Sequence, residues 1–305
     1  MSIIEVAHIS KSFGRTLAVE DVSFSVEPGE TFGLLGPNGA GKTTTIRILL
    51  DIFKPDSGRA AVFGGELDLA KKRRIGYLPE ERGLYKDIKL EAVLLYLARL
   101  KGMDERPARE RLEAWLERLD LAAHRSKKVQ ELSRGMQQKA QIIATLLHEP
   151  ELIIIDEPFQ GLDPVNTRLI KEILAEQGRA GRTIVMSTHQ MHQVEAMCQR
   201  IVLIHQGRVV LYGAVDEVKR NFAGNAVRVE GQGDFAAVAG VLDARRQDGG
   251  WQMALELGAD PQAVLRQLVS NGVKIERFEV AEPSLEDIFV SVVQERPAAG
   301  SEPGA

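Results

Sequence analysis

One stretch of eight residues constrains this chain more than any other feature. Gly36-Pro37-Asn38-Gly39-Ala40-Gly41-Lys42-Thr43 follows the short apolar run Thr31-Phe32-Gly33-Leu34-Leu35 and opens a helical pattern over about residues 42–53. The stretch satisfies G-x-x-x-x-G-K-[ST] in a strand–loop–helix setting, where that spacing has a physical meaning. Glycines let the backbone turn tightly enough for successive N–H groups to point inward, and the helix that starts there adds its positive end. Such a loop cradles phosphate. Lys42 is placed to reach β- and γ-phosphates, and the Thr43 hydroxyl to ligate magnesium.

The pattern around the loop is one of strands and helices. Residues 3–9 and 17–26 alternate apolar and polar side chains before a Pro28-Gly29 turn, which is the strand period. Lys54-Pro55-Asp56-Ser57-Gly58 turns into another strand near residues 60–63. From about residue 87 to 147 the reading is mainly helical, with Leu112, Trp115, Leu116 and Leu119 on one face. Strands are then expected at 152–155, 183–187, 201–205 and 208–212, with helices at 165–177 and 191–198. Alternation of this kind implies a parallel sheet covered on both faces, with the helical block inserted as a subdomain. Past residues 221–225 the organisation restarts. Strands are expected at 227–229, 251–257 and 273–280, and helices at 236–246, 261–269 and 284–293. The expected domains are therefore residues 1–222, with a helical subdomain at about 87–147, and a small α/β unit at 225–293. Residues 296–305 read as a disordered tail.

A phosphate loop needs a carboxylate partner. Leu152-Ile153-Ile154-Ile155-Asp156-Glu157-Pro158 supplies two where a buried strand ends, the edge at which α/β sheets bind ligands. Asp156 suits the magnesium shell, and Glu157 suits orienting or deprotonating an attacking water. The expected activity is ATP hydrolysis.

Composition narrows the setting. A net charge of −4 argues against nucleic acid as a partner, because such proteins usually carry a basic excess. The single cysteine, Cys198, allows no internal disulfide. Met1-Ser2-Ile3-Ile4-Glu5 lacks the basic-then-apolar order of a signal peptide, and no run is long enough to span a bilayer. Service to a membrane would run through a partner.

Leu132-Ser133-Arg134-Gly135-Met136-Gln137-Gln138 stands just before a helix, about twenty residues ahead of the Asp156 strand. A serine and bare N–H groups at a helix N-terminus form an anion site, though an ordinary N-cap would use the same serine. With this segment, roughly residues 3–222 resemble the nucleotide-binding subunits of ABC transporters, whose signature is L-S-G-G-Q. Arg134 and Met136 depart from that signature.

The resemblance implies an α/β P-loop NTPase: a RecA-like parallel core, an N-terminal antiparallel β subdomain and an inserted helical subdomain, with a small C-terminal α/β domain. It implies ATP and magnesium as cofactors. Gly36, Pro37, Asn38, Gly39, Ala40, Gly41, Lys42, Thr43 and Thr44 would hold the nucleotide, with Lys42, Glu157 and His189 catalytic. Thr43, Asp156 and Glu80 would serve the metal. Ser133 and Gly135 would bind the γ-phosphate held by an opposite subunit. Asp163, in Gly161-Leu162-Asp163, matches the loop lining the dimer interface, and His189 the switch histidine that contacts γ-phosphate. Phe13 matches the aromatic that stacks on adenine, with a core phenylalanine as the alternative. Glu80 stands where most relatives carry glutamine, and so adds a charge.

Further implications concern partners. Hydrolysis would require a head-to-tail homodimer or heterodimer, bound to an integral membrane permease at the cytoplasmic face of the cell membrane. The helical block, with the loop from Glu80 to about Leu95, would receive the permease. Tyr77-Leu78-Pro79-Glu80-Glu81-Arg82-Gly83-Leu84-Tyr85 and Pro283-Ser284-Leu285-Glu286-Asp287-Ile288-Phe289 are similar to ABC-2 exporters, including sodium-extrusion and drug-resistance ATPases. The alternative is a soluble ABC ATPase of DNA repair or translation. Only about 113 residues separate Lys42 from Asp156, without heptads, and there is one ATPase core where translation factors usually carry two.

Overall fold

A computed structural model describes residues 2–81, 83–222, 226–233, 235, 238–247, 249–256, 258–281 and 283–294. The expected disordered tail at 296–305 lies outside the described residues. The chain divides into two compact units, the first holding residues 1–189 and 197–209, the second residues 190–196 and the chain from Val210 onward.

In the first unit, β1 (Ile4–Phe13), β2 (Thr16–Val26) and β4 (Ser57–Val62) form an antiparallel sheet in the order β2-β1-β4. Between them in sequence lie β3 (Thr31–Leu35) and α1 (Lys42–Leu49), and after them α2 (Leu69–Arg73) and β5 (Ile75–Leu78). The inserted block contributes α3 (Leu90–Leu100), α4 (Glu105–Arg118) and α5 (Arg134–Leu146). The chain then builds β6 (Leu152–Asp156), α6 (Pro164–Arg179), β7 (Thr183–Thr188), β8 (Arg200–His205) and β9 (Arg208–Ala214); α7 (Met191–Met197), between β7 and β8 in sequence, groups with the second unit through residue 196, and β9 enters that unit at Val210.

The second sheet runs β5-β6-β7-β3-β8-β9, and the pairs from β5 through β8 are parallel. β8 and β9 are joined across Gln206-Gly207, a connection short enough only for antiparallel neighbours. Every residue of β3 and β6 is buried, which explains their continuous apolar runs: a strand covered on both faces has no polar side. Ile4, Ile9, Phe32, Leu34, Ile46, Leu49, Leu152, Val185 and Val202 share one core, so both sheets and α1 pack together.

Helix α4 buries Ala108, Leu112 and Leu116, the face its spacing predicts. α1 stops at Leu49, short of the expected residue 53, because Asp51 takes a left-handed conformation at φ 59°. The inserted block is anchored on the carbonyls of Lys72 and Ile75 by two half-buried side chains. Lys101 Nζ donates to the carbonyls of Lys72 (2.9 Å) and Ile75 (2.7 Å), and His148 Nε2 donates to Ile75 O at 3.1 Å. Burial, then the neighbouring Lys101, push the His148 pKa down to about 4.

The second unit contains α8 (Val215–Asn221), β10 (Ala226–Gln232), β11 (Val241–Gln247), β12 (Gly250–Leu255), α9 (Pro261–Ser270), β13 (Lys274–Val280) and α10 (Leu285–Gln294). Its sheet is antiparallel, in the order β11-β12-β10-β13. The helix expected at 236–246 is corrected here. Residues 236 and 237 lie outside the described residues, and 241–247 form β11 instead. Alanine, leucine and arginine favour helix locally, but Gly240 at φ 80° breaks the chain direction and the ladder to β12 outweighs propensity.

Candidate functional site

The phosphate loop begins where β3 ends. A Cβ on Gly36, at φ 147°, would lie 2.1 Å from the Ile204 carbonyl oxygen, and one on Gly41, at φ 109°, 2.4 Å from that of Ala18. Only glycine lets the loop seat this closely against β8 and β2. Ala40 N donates to Pro37 O at 3.2 Å, and Gly207 N donates to Ala40 O at 3.0 Å, which fixes the loop from both sides. Gly41 precedes α1 without a capping side chain, so the first amides of that helix have no intrahelical partner and are free for an anion.

Lys42 is 6% exposed. Its Nζ donates to Gly36 O (2.8 Å) and Pro37 O (3.2 Å) and lies 3.8 Å from Glu157 Oε1. Burial lowers the Lys42 pKa, and the carboxylates of Glu157, Asp156 and Glu80 act against that. An ammonium held this way is poised to exchange carbonyl partners for phosphate oxygens.

The carboxylates come from β6. Cα pairing sets Asp156 opposite Ser187 on β7, and the Ser187 hydroxyl donates to Asp156 Oδ1. Asp156 Oδ2 is buried without a hydrogen-bond partner. Glu157 follows at φ 51°, a conformation that costs a non-glycine residue roughly 1–3 kcal/mol unless its surroundings impose it. They do so here. Its N–H donates to Ser187 O at 3.0 Å. Its carboxylate accepts from Thr188 Oγ1 (3.0 Å), His189 N (3.0 Å) and His189 Nδ1 (2.8 Å).

A cavity of about 270 Å³ gathers Ala18, Asn38, Gly39, Ala40, Gly41, Lys42, Thr43, Thr44, Glu80, Asp156 and Glu157. The structure thus brings together the loop, both carboxylates and Glu80, while Gly36 and Pro37 meet the Lys42 ammonium and His189 joins through Glu157. The donor set fits magnesium. That ion takes one or two carboxylates alongside phosphate and water, and the orphaned Asp156 Oδ2 is an acceptor awaiting such a partner.

Four expected residues lie apart from this cavity. Phe13 is 46% exposed and packs edge-on against Phe53 at 5.3 Å, so it is not a core phenylalanine. Ser133 caps α5, accepting from Met136 N at 3.3 Å. Gly135 neighbours Asn166, whose backbone N–H donates to Asp163 at 2.9 Å; Asp163 caps α6. Backbone and side-chain hydrogen bonds from Asn166 lower the Asp163 pKa. The signature segment and the Asp163 loop therefore meet each other and present exposed helix starts.

Two functional side chains escape the sequence reading. Ser187 and Thr188 hold Asp156 and Glu157, and the signal for them is available: two hydroxyls closing the apolar run Thr183-Ile184-Val185-Met186, beside the carboxylate strand.

Residues 19–160 match the family described as "ABC transporter", and residues 213–293 match "ATP-binding protein DrrA1-3-like, C-terminal domain". An ABC transporter ATP-binding protein of Bacillus subtilis (strain 168) is 40% identical over 294 residues, covering 95% of this chain and 98% of that one. A linearmycin resistance ATP-binding protein of the same strain is 30% identical, covering 95% and 98%. A Nod factor export ATP-binding protein of Rhizobium sp. (strain N33) is 34% identical, covering 94% and 95%. Among solved structures, an ATP-binding subunit of an ABC transporter superposes with a TM-score of 0.67 at 36% identity, over 72% of this chain and 93% of that one. The chain belongs to the family of ABC transporter ATP-binding proteins and is the ATPase subunit of a transporter.

Proposed function

We propose that this subunit powers export through a separate membrane permease, closing head to tail with a second ATPase subunit around MgATP. One observation carries the reading: the phosphate loop and carboxylates share a cavity within the chain, whereas Ser133 and Gly135 stand outside it on an exposed helix start. A γ-phosphate in the cavity of one subunit is then completed by Ser133 and Gly135 of the other.

Each residue takes a role from its surroundings. Loop amides, Lys42 and Thr44 hold the phosphates. Thr43 and Asp156 hold magnesium, which neutralises phosphate charge when bound, and Glu80 lines the same space as a further acidic contact. Glu157 orients and deprotonates the attacking water, with His189 steadying it and reaching γ-phosphate. Phe13 offers an exposed face to adenine, and Asp163 lies at the dimer seam. The ATPase domain spans residues 1–222 and the accessory domain 225–293. Among the described residues no helix is long and apolar enough to cross a membrane, so attachment to the cytoplasmic face runs through the permease. The relatives named for linearmycin resistance and Nod factor export support the outward direction.

The test is Glu157→Gln. Removing the base should lower ATP turnover by roughly a thousandfold while ATP still binds and holds two subunits together, read by sizing chromatography with and without MgATP. Normal turnover, or a monomer with ATP bound, counts against this reading.

A further inference from the structure

β13 stands at the edge of the second unit's sheet: among the described residues it pairs with β10 on one side and has no strand on the other. The outward N–H and C=O groups of an edge strand are a template for another strand. Charged side chains and a bulge ordinarily keep such an edge solitary, and β13, Lys274-Ile275-Glu276-Arg277-Phe278-Glu279-Val280, has both. The order of its charges sets it apart.

The bulge decides which side chains share a face. Arg277 pairs with Glu230 of β10 and Ile275 with Gly231, which leaves Glu276 as an extra residue. Ile275 and Phe278, three residues apart, therefore both pack against the core of the unit. Lys274, Glu276, Arg277 and Glu279 alternate away from them and are exposed. Arg277 lies 2.7 Å from Glu279 and 3.9 Å from Glu230. Lys274 and Glu276 have no ion-pair partner among the described residues.

We propose that β13 is a self-recognition edge, along which two copies of this chain pair antiparallel about a two-fold axis between Glu276 and Arg277. Such a contact is isologous: residue i meets j, and j meets i. Glu276 then faces the second copy's Arg277, Ile275 its Phe278, and Lys274 its Glu279. Every pair joins opposite charges or two apolar side chains, each on its own face, and each forms twice. Registers one residue away set Ile275 opposite Glu279 or Arg277. Registers two residues away set Glu276 opposite Glu279, or Lys274 opposite Arg277. One register alone satisfies charge and face together.

The partner this edge fits is therefore an identical chain rather than a different ATPase subunit. In the proposed two-subunit cycle that makes a homodimer; this role rests on the reading above, whereas the pairing does not. So short an edge makes a contact of the weak, transient class. The dilute chain is then monomeric without nucleotide, and pairs as its concentration rises.

Sedimentation of the full-length chain without nucleotide, over a concentration series, tests this. The natural chain should pass from monomer to dimer. Glu276→Lys sets lysine against arginine, and Arg277→Glu sets glutamate against glutamate, each twice. Either variant alone should associate at least about tenfold more weakly. Mixed in equal amounts, the two variants meet with opposite charges throughout and should dimerise about as well as the natural chain. Lys274→Glu and Glu279→Lys form a second such set at the outer pair, and melting curves establish that each variant is folded. Recovery on mixing cannot come from a change within either chain, since each is the same protein alone and mixed. A natural chain that stays monomeric at every concentration overturns the proposal. So do variants that associate normally, or weakened variants that mixing does not restore. Closure by Glu157→Gln is read only with MgATP, so its failure beside recovery here removes the hydrolytic reading and leaves the edge.

Discussion

The cavity around Lys42 and the segment around Ser133 both recognise phosphate in the proposed cycle, yet they are built in opposite ways. Lys42, Asp156 and Glu157 are each at most 6% exposed, and Glu157 is held at an unfavourable backbone angle by four hydrogen bonds within its own chain. Ser133 is exposed and spends its hydroxyl on capping its own helix. The difference teaches where the chemistry is stored. Groups that must be pre-aimed at the reacting water are fixed by burial before any partner arrives. Groups that must meet a second subunit remain on a surface, satisfied locally until then.

The comparison can be broken at several points. Lys42→Ala removes the cation that carboxylates and loop carbonyls surround, leaving Asp156 and Glu157 without their countercharge. ATP affinity should fall at least a hundredfold, on the order of truncating a buried charge pair, measured by calorimetry. Unchanged affinity breaks the buried half.

A second test concerns what carries the exposed half. α5 bears Ser133 at its start, and His148 follows its end, anchored on Ile75. The folded His148 resists protonation until about pH 4, whereas in the unfolded chain it takes a proton near the ordinary 6.5. The unfolded state thus binds more protons in that window, and stability rises with pH through it. His148 contributes in full above about 6.5 and loses ground as pH falls toward 4, by roughly 3 kcal/mol at most. Denaturant titrations at pH 7 and 5 should show a smaller difference for His148→Gln than for the natural chain. Equal differences sink the assignment.

Ser133→Ala should leave ATP affinity of the monomer unchanged and reduce turnover by about tenfold, comparable to losing one preorganised donor in part. A parallel loss of monomer affinity would place Ser133 in the same-chain site. Smallest, Phe13→Ala should weaken ATP several-fold, since stacking of a base on an aromatic ring contributes about 1–3 kcal/mol. GTP should be affected similarly if the ring face alone is used.

Legibility followed locality. Residues 36–43 were readable because one short segment carries strand, loop and helix start, and the same holds for Asp156 and Glu157 at the end of an apolar run. Ser187 and Thr188 were not singled out, because their partners lie 31 residues away and only the β6–β7 register brings them together. β11 was misread for a related reason: Val241-Leu242-Asp243-Ala244-Arg245-Arg246-Gln247 has helix-forming composition, and a ladder partner is invisible in a local window. Glu195 falls in the same class: it accepts from the Leu285 amide at the start of α10, 90 residues downstream.

The amino-acid sequence by itself carries the proposed chemistry: a phosphate loop, a pair of carboxylates at a strand end and a segment resembling the family signature, each written in contiguous residues. Tertiary structure alone decided how these are held. The order β6-β7-β3 sets the carboxylate strand beside the hydroxyls of β7 that hold it, with the phosphate-loop strand on β7's other side. The left-handed turn at Glu157 is imposed by neighbours on β7, and α7 is tied to a helix nearly a hundred residues on. Those are properties of pairing and burial between distant segments, and the hydrogen-bond partners and solvent exclusion that define them exist only once the sheet has closed.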